Sequence, residues 1–464
     1  MTGIENITGA YFIGIGGIGM SALARYFKSK GINISGYDRV ESSITRSLTE
    51  ENSNITYSDN VETIPVLYRD PDRKNMILVI YTPAIPEENR ILSWFRTNGY
   101  IVYKRSDILG KLSEETDTLA IAGTHGKTTV STILTHLLRQ SHIGCSAFLG
   151  GISKNYNTNF LKGDSRFTVM EADEFDRSFL RLSPFMAVIT AVDADHLDIY
   201  GDKKNMIAAY NDFCCRIRKG GALVINTRIK DEIEIPDGVT GFTYGLDESA
   251  DFRAVNINQE GDAYIFDLKA PEEILKGIKI TLSGTVNIEN VIAAMAIGLL
   301  CGITELEIKE SLPDFKGVQR RFDIRINRPG LVYIDDYAHH PEEIRVCIES
   351  VRKYFSGRKI TAIFQPHLYS RTRDHAEGFA QVLDKLDEVF LLPVYPAREK
   401  PIPEVTSSII FEKMKLNSKW LLSKEETLEK LVPEDLDVLI TLGAGDIDRL
   451  VAPIEDLLNK NRTE

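Results

Sequence analysis

The sequence predicts an α/β protein of three domains, and three observations lead there. Short β-branched runs alternate with amphipathic segments of helical period along the chain, the pattern of parallel sheets flanked by helices. Two glycine-rich turns each stand between an apolar run and an amphipathic segment, where α/β proteins bind phosphate. The length of 464 residues suffices for about three domains with separate cores.

The first block, residues 1–107, opens with a strand at 10–15, continues through a helix at 20–29 and reaches a second strand at 33–37. Gly14-Ile-Gly16-Gly17-Ile-Gly19 lies between the first strand and the helix, as a dinucleotide fingerprint requires. Asp38 ends the second strand, where an acid can meet a ribose hydroxyl. Taken alone, that acid favours NAD; the glycines accommodate any pyrophosphate, including that of a UDP-sugar. Thr82 joins these residues as a candidate contact for the same ligand.

The second block, residues 108–317, contains the most informative stretch. Residues 118–132, Thr-Leu-Ala-Ile-Ala-Gly-Thr-His-Gly-Lys-Thr-Thr-Val-Ser-Thr, read as an apolar strand, a glycine turn and a helix opened by Lys127, Thr128 and Thr129. Val130, Ile133, Leu134, Leu137 and Leu138 recur with helical period, so the helix is credible on its own terms. Backbone N–H groups and the helix dipole can then face a nucleoside triphosphate, with Lys127 on its phosphates and Thr128 on Mg²⁺. Ile121 stands where the longer P-loop has its first glycine, and Gly123 comes two residues later, so the turn is a shortened variant. His125 reads as a shaping residue of that turn.

Further strands are expected at 167–171, 186–192 and 222–226. Glu171 ends the first of these, and Asp195-His196 follows the second, so Glu171 and His196 are candidates to reach the same Mg²⁺. For Asp173, Glu174 and Asp176, a solvated acidic turn is at least as good a reading. The polar stretch 313–321 reads as a linker to the third block, residues 318–464, with strands at 331–335, 360–364, 388–392 and 437–442.

Composition narrows the class. A chain 43% hydrophobic and 26% charged is globular, and no apolar run reaches the roughly 18 to 20 residues that span a bilayer. No basic n-region precedes the first strand, so the cytoplasm is the expected setting, without stable membrane association. The five scattered cysteines favour reduced thiols. A net charge of −12 argues against a nucleic-acid partner but leaves room for small anions at local arginines.

The motifs also arrive in a telling order. Gly-Thr-His-Gly-Lys-Thr-Thr, Glu-Ala-Asp-Glu (171–174), Asp-His-Leu-Asp (195–198), Asn287-Ile-Glu-Asn290, Arg320-Arg321-Phe322, Asp335-Asp336-Tyr337-Ala-His339-His340-Pro341 and Phe364-Gln-Pro-His367 with Arg371 and Arg373 follow one another. In this the chain resembles the Mur ligases over essentially its whole length. The resemblance implies an N-terminal Rossmann-like UDP-binding domain, a central P-loop-type ATPase domain and a C-terminal Rossmann-like ligase domain. It implies an ATP-dependent ligase that joins L-alanine to the carboxylate of UDP-N-acetylmuramate through an acyl phosphate, in peptidoglycan precursor synthesis. The first glycine turn then becomes a UDP pyrophosphate site rather than an NAD site.

Residue by residue, the resemblance gives Lys127 the phosphate role and Thr128, Glu171 and His196 the metal. Gly123, Thr124, His125, Gly126, Thr129, Asn287, Asn290, Arg321 and Asp336 would contact or orient ATP, and His339, His340, Arg371 and Arg373 the amino acid or a phosphate. Other readings stay open: a helix start for the histidine pair before Pro341, solvated surface arginines for Arg371 and Arg373, and local capping for the two asparagines. Val286 stands where many relatives carry His. Among competing functions, a ligase that attaches a preformed tripeptide to UDP-N-acetylmuramate shares most motifs, although Asp176-Arg177-Ser178-Phe179 favours the single-residue acceptor. Folylpolyglutamate synthase would lack the turn at 14–19, and an NAD oxidoreductase would leave 118–132 unexplained. A non-catalytic UDP-sugar or dinucleotide-binding protein would need neither Lys127 nor Glu171. Both monomer and homodimer are compatible with the sequence.

Overall fold

A computed structural model describes residues 6–193, 197–261, 263–281, 285–397 and 399–460. The chain packs as two compact units, and the main division falls between Gly317 and Val318.

The first unit carries two sheets. In the first, β1 (Gly9–Ile13), β2 (Asn33–Tyr37), β3 (Asn54–Thr56), β4 (Ile77–Tyr81) and β5 (Val102–Lys104) lie in the order β3-β2-β1-β4-β5, all parallel. Every residue of β1 is buried, as expected of a strand covered on both faces, which explains its unbroken apolar run. Strand order reverses at β1, so a crevice opens beyond the ends of β1 and β4, where Gly14 and Thr82 stand.

The second sheet is built on β6 (Asp117–Ala122), β7 (Ser146–Ser153), β8 (Thr158–Leu161), β9 (Phe167–Glu171), β10 (Met186–Ile189), β11 (Ala222–Asn226) and β12 (Thr240–Gly245). It is extended by β13 (Phe252–Glu260), β14 (Ala263–Lys269) and β15 (Ile274–Ile280), in the order β15-β14-β13-β12-β11-β10-β6-β9-β7-β8. From β13 to β7 neighbours run parallel; β8, β14 and β15 are antiparallel additions at the two edges. The sequence reading had no strands at β7, β8 or β12 to β15. β13 alternates buried and half-exposed residues and then becomes exposed, so it lacks the apolar run that marked the central strands.

The two sheets of this unit are fastened together. Helix Ile18–Ser29 packs on β7 and β8, with Tyr26 edge-on to Phe160 at 5.9 Å. Asn159, wholly buried, donates to Ile18 O (2.6 Å) and Ser21 Oγ (2.9 Å) and accepts from Arg25 Nη1 (2.5 Å). Arg25 also holds Glu51 and Ser47, so its guanidinium is desolvated only among partners.

The second unit holds β16 (Asp323–Arg328), β17 (Leu331–Asp336), β18 (Ile360–Phe364), β19 (Glu388–Leu391), β20 (Lys419–Leu421) and β21 (Val438–Leu442). Their order is β16-β17-β21-β18-β19-β20, parallel except for β16. β17, β18 and β21 are buried throughout. The antiparallel edge β16 was missing from the sequence reading, because its side chains alternate between half-buried and exposed. Among the described residues, no helix is long and apolar enough to cross a membrane.

Candidate active site

β6 delivers the chain into Gly123-Thr124-His125-Gly126, and helix Lys127–Gln140 begins immediately after. Gly123 has φ +130°, and a Cβ there would collide with Thr190 Oγ1; Gly126 has φ +82°, and a Cβ would stand 2.8 Å from Asn290 Oδ1. Both positions therefore require glycine. The turn is pinned from β10: Thr190 Oγ1 donates to His125 O (2.5 Å), and Thr124 N–H donates to Ala191 O (3.0 Å). Thr128 is buried in the first turn of the helix.

Lys127 Nζ donates to Gly123 O (2.6 Å) and to Glu174 Oε1 (2.8 Å). Glu174 is 1% exposed, so the acidic turn is not simply solvated as the sequence reading allowed. Asp173 pairs with Arg105 (3.1 Å) and Asp176 with Lys104 (3.1 Å), giving each carboxylate a base that lies far away in sequence. Burial pushes the Glu174 carboxyl up to about 7 against the pull of Lys127. Burial works to lower the Lys127 ammonium, but Glu174, Glu171 and Asp173 outweigh it and hold the pKa above its usual value.

Glu171 ends β9 beside Ile121 of β6, and its carboxylate occupies the space that a Cβ on Gly150 would fill. Asn287 and Asn290 lie in the first turns of helix Thr285–Cys301; Asn290 Nδ2 donates to Asn287 Oδ1 (3.1 Å), while its own oxygen faces Gly126. The turn, Glu171 and the asparagine pair thus share one end of the second sheet. His196 lies outside the described residues.

At the first glycine turn, Gly16 N–H donates to Asp38 Oδ2 (2.8 Å), and Asp38 Oδ1 accepts from Arg39 N–H (2.7 Å). Asp38 therefore braces the turn itself, beyond the ribose role read from its position. Thr82 packs its methyl against Gly14 from the end of β4.

The second unit places Asp336 at the end of β17, where its carboxylate accepts from Phe322 N–H and Ala338 N–H, both at 2.7 Å. Burial pushes its pKa up to about 6, although Arg321 opposes the shift. Arg321 lies over the Tyr337 ring at 4.9 Å, and Arg320 donates to Gly443 O (2.6 Å). His340 is the N-cap of helix Pro341–Tyr354, and Glu343 Oε2 accepts from both His339 N–H (3.0 Å) and His340 N–H (3.2 Å). That geometry gives His340 a helix-start role. The His339 ring stands edge-on to His367 at 5.9 Å. Arg371 is half-buried in the short helix Tyr369–Asp374, whereas Arg373 is exposed and paired with Asp374 (2.7 Å).

Comparison with known proteins decides the family. Three consecutive family profiles match: "Mur ligase family, catalytic domain" over residues 10–116, "Mur ligase middle domain" over 121–298 and "Mur ligase, glutamate ligase domain" over 320–445. The UDP-N-acetylmuramate–L-alanine ligase of Phocaeicola vulgatus is 48% identical over 459 residues, covering 98% of this chain and 99% of that one. The chain belongs to the Mur ligase family. The corresponding ligase of Porphyromonas gingivalis is 47% identical over 97% of this chain and 98% of its own. Among solved structures, the UDP-N-acetylmuramate-alanine ligase MurC of Thermotoga maritima superposes with a TM-score of 0.81 at 27% identity, covering 97% of this chain and 99% of that one. A murein peptide ligase of Psychrobacter arcticus shares the fold at a TM-score of 0.72 and 20% identity, with 97% and 99% covered.

As in that solved alanine ligase, the Mur ligase fold here is a three-domain α/β architecture with parallel-rich sheets. Sequence reasoning missed Thr190, Arg105 and the pairing role of Glu174. Thr190 had a signal, being a polar residue at the tip of an apolar strand aimed at the phosphate turn. Arg105 had none, because its partners lie 86 and 68 residues away in the chain, at Gly19 and Asp173.

Proposed function

We infer that this Mur ligase joins L-alanine to the carboxylate of UDP-N-acetylmuramate, with cleavage of ATP to ADP and phosphate, in peptidoglycan precursor synthesis. The observation that carries this is the near-half identity to UDP-N-acetylmuramate–L-alanine ligases along almost the full length of both chains. All three family profiles are matched in one chain. We assign residues 1–107 to the UDP-substrate, 108–317 to ATP and 318–464 to the amino acid and the completion of the ligase site.

The chemistry explains the parts. A muramoyl carboxylate oxygen attacks the γ-phosphorus, ADP leaves, and an acyl phosphate results; the amine of L-alanine then attacks the acyl carbon, phosphate leaves and the amine loses a proton. Two anions must meet in the first step. Lys127 and the N–H groups at the start of helix Lys127–Gln140 reduce that repulsion. Thr128 and Glu171 offer the oxygen donors that Mg²⁺ prefers, and Gly150 leaves the Glu171 carboxylate its space. Bound Mg²⁺ would supply charge neutralisation at the phosphates. Asn287, Asn290, Arg321 and Asp336 are assigned to ATP, and Arg371 with His339 to the amino acid. We assign the reaction to the cytoplasm, where ATP and UDP-sugars are available and thiols stay reduced.

The test is phosphate release from ATP and Mg²⁺ with UDP-N-acetylmuramate, comparing L-alanine, other amino acids and the tripeptide L-alanyl-γ-D-glutamyl-diaminopimelate. Turnover with L-alanine, and a joined product by mass spectrometry, is expected. Turnover with the tripeptide alone would move the chain to the recycling ligases.

A further inference from the structure

A diphosphate brings two negative charges to the first glycine turn, yet residues 14–24 contain no lysine or arginine. The next basic residue, Arg25, is committed to Glu51, Ser47 and Asn159. Asp38 adds a carboxylate at Gly16 N–H. The backbone and helix dipole alone would face a dianion beside a fixed negative charge, so a cation from elsewhere in the fold would strengthen the site.

We propose that Arg105 is that cation, a ligand of the UDP-N-acetylmuramate diphosphate, and that Asp173 is the residue that positions it. Arg105 begins helix Arg105–Glu115 directly after β5, the neighbour of β4 in the same sheet. Its guanidinium lies so close to Gly19 that a Cβ there would overlap Nη1 and come within 3.1 Å of Cζ. Nη2 donates to Asp173 Oδ2 at 3.1 Å, and Asp173 Oδ1 is fixed by Phe175 N–H at 3.0 Å. One end of the fork is thus held by Asp173 while the other lies against Gly19, in the first turn of the helix that follows the glycine turn. At 19% exposure the charge is largely removed from water, which strengthens its attraction for phosphate. The neighbouring Glu174 holds Lys127 in the same way, so adjacent carboxylates of one turn position a cation for each nucleotide.

This rests on the ligase reading above, and the two can fail separately. Calorimetric titration of the full chain with UDP-N-acetylmuramate, UDP and UMP is compared for wild type, Arg105→Gln, Arg105→Lys and Asp173→Asn, alongside the KM for ATP. Arg105→Gln is expected to weaken UDP-N-acetylmuramate and UDP by about tenfold or more and UMP much less, with the KM for ATP within about twofold. Arg105→Lys recovers part of the loss, and Asp173→Asn raises the KM for UDP-N-acetylmuramate several-fold. Unchanged affinity for UDP-N-acetylmuramate in Arg105→Gln would overturn the proposal. So would equal losses for that substrate and ATP, which would make the Asp173 pair a structural strut. If Arg105→Gln does not fold, Arg105→Lys carries the comparison, and wild-type affinity for UDP-N-acetylmuramate in it overturns the forked arrangement between Asp173 and the diphosphate. A wild-type chain that binds no UDP-N-acetylmuramate overturns the ligase reading instead.

Discussion

The turns Gly14–Gly19 and Gly123–Gly126 share a strand before and a helix after, yet they obtain their charges differently. The second carries its own cation, Lys127, one residue beyond its last glycine, and imports a carboxylate, Glu174, to hold it. The first carries no cation and gathers both charges from other elements, Asp38 from the end of β2 and Arg105 from beyond β5. A motif that contains its chemistry is read from a short window of sequence. One that assembles its chemistry across the sheet is only half visible there.

The largest expected effect tests the self-contained turn. Lys127→Ala should lower turnover by roughly three powers of ten or more, as removal of a preorganised charge does elsewhere. Near wild-type phosphate release would remove Lys127 from the chemistry.

A matched pair of glycine substitutions sharpens the contrast. Gly123→Ala meets Thr190 Oγ1 at φ +130°, and Gly16→Ala places a Cβ 2.8 Å from Thr45 Cγ2 and 2.9 Å from Asp38 Oδ2. Each should cost on the order of 1–3 kcal/mol, the first in ATP affinity and the second in UDP-N-acetylmuramate affinity. Titrations in which both variants lose both ligands equally would erase the distinction between the turns.

Asp336 extends the comparison to a carboxylate held by backbone N–H groups. Its pKa is raised by burial from 3.8 to about 6, so the folded state binds the proton more tightly than the unfolded chain. The stability it contributes is therefore greatest below about pH 4 and is lost as pH rises toward 6, by on the order of 2–3 kcal/mol. Denaturant unfolding at successive pH values should show Asp336→Asn gaining on wild type across that window and no further above it. A constant difference would place the cost elsewhere.

The smallest effect belongs to Arg373. Exposed and paired with its neighbour Asp374, it should leave both stability and the KM for L-alanine little changed as Ala, whereas Arg371→Ala should raise that KM. A large KM change in Arg373→Ala would restore it as a substrate contact.

The sequence made the central strands legible because burial on both faces demands unbroken apolar runs, as in β1, β6 and β17. Edge strands such as β8 and β16 carry mixed side chains and pass for loops. The glycine turn before Lys127 and the place of Glu171 at a strand end were legible through local spacing, whereas the Asn287 and Asn290 pair was singled out by the family resemblance. The ion pairs of Asp173, Glu174 and Asp176 were not, since pairing across 47 to 72 residues leaves no local pattern.

Asn159 has a practical consequence for anyone dividing this chain. Its amide is satisfied by Ile18, Ser21 and Arg25, so a fragment beginning near residue 108 would leave that amide and the rings of Phe148 and Phe160 uncovered. Such a fragment would be prone to aggregate. A cut after Gly317 preserves that contact, so the smallest piece worth expressing for study of the ATP turn contains both glycine turns.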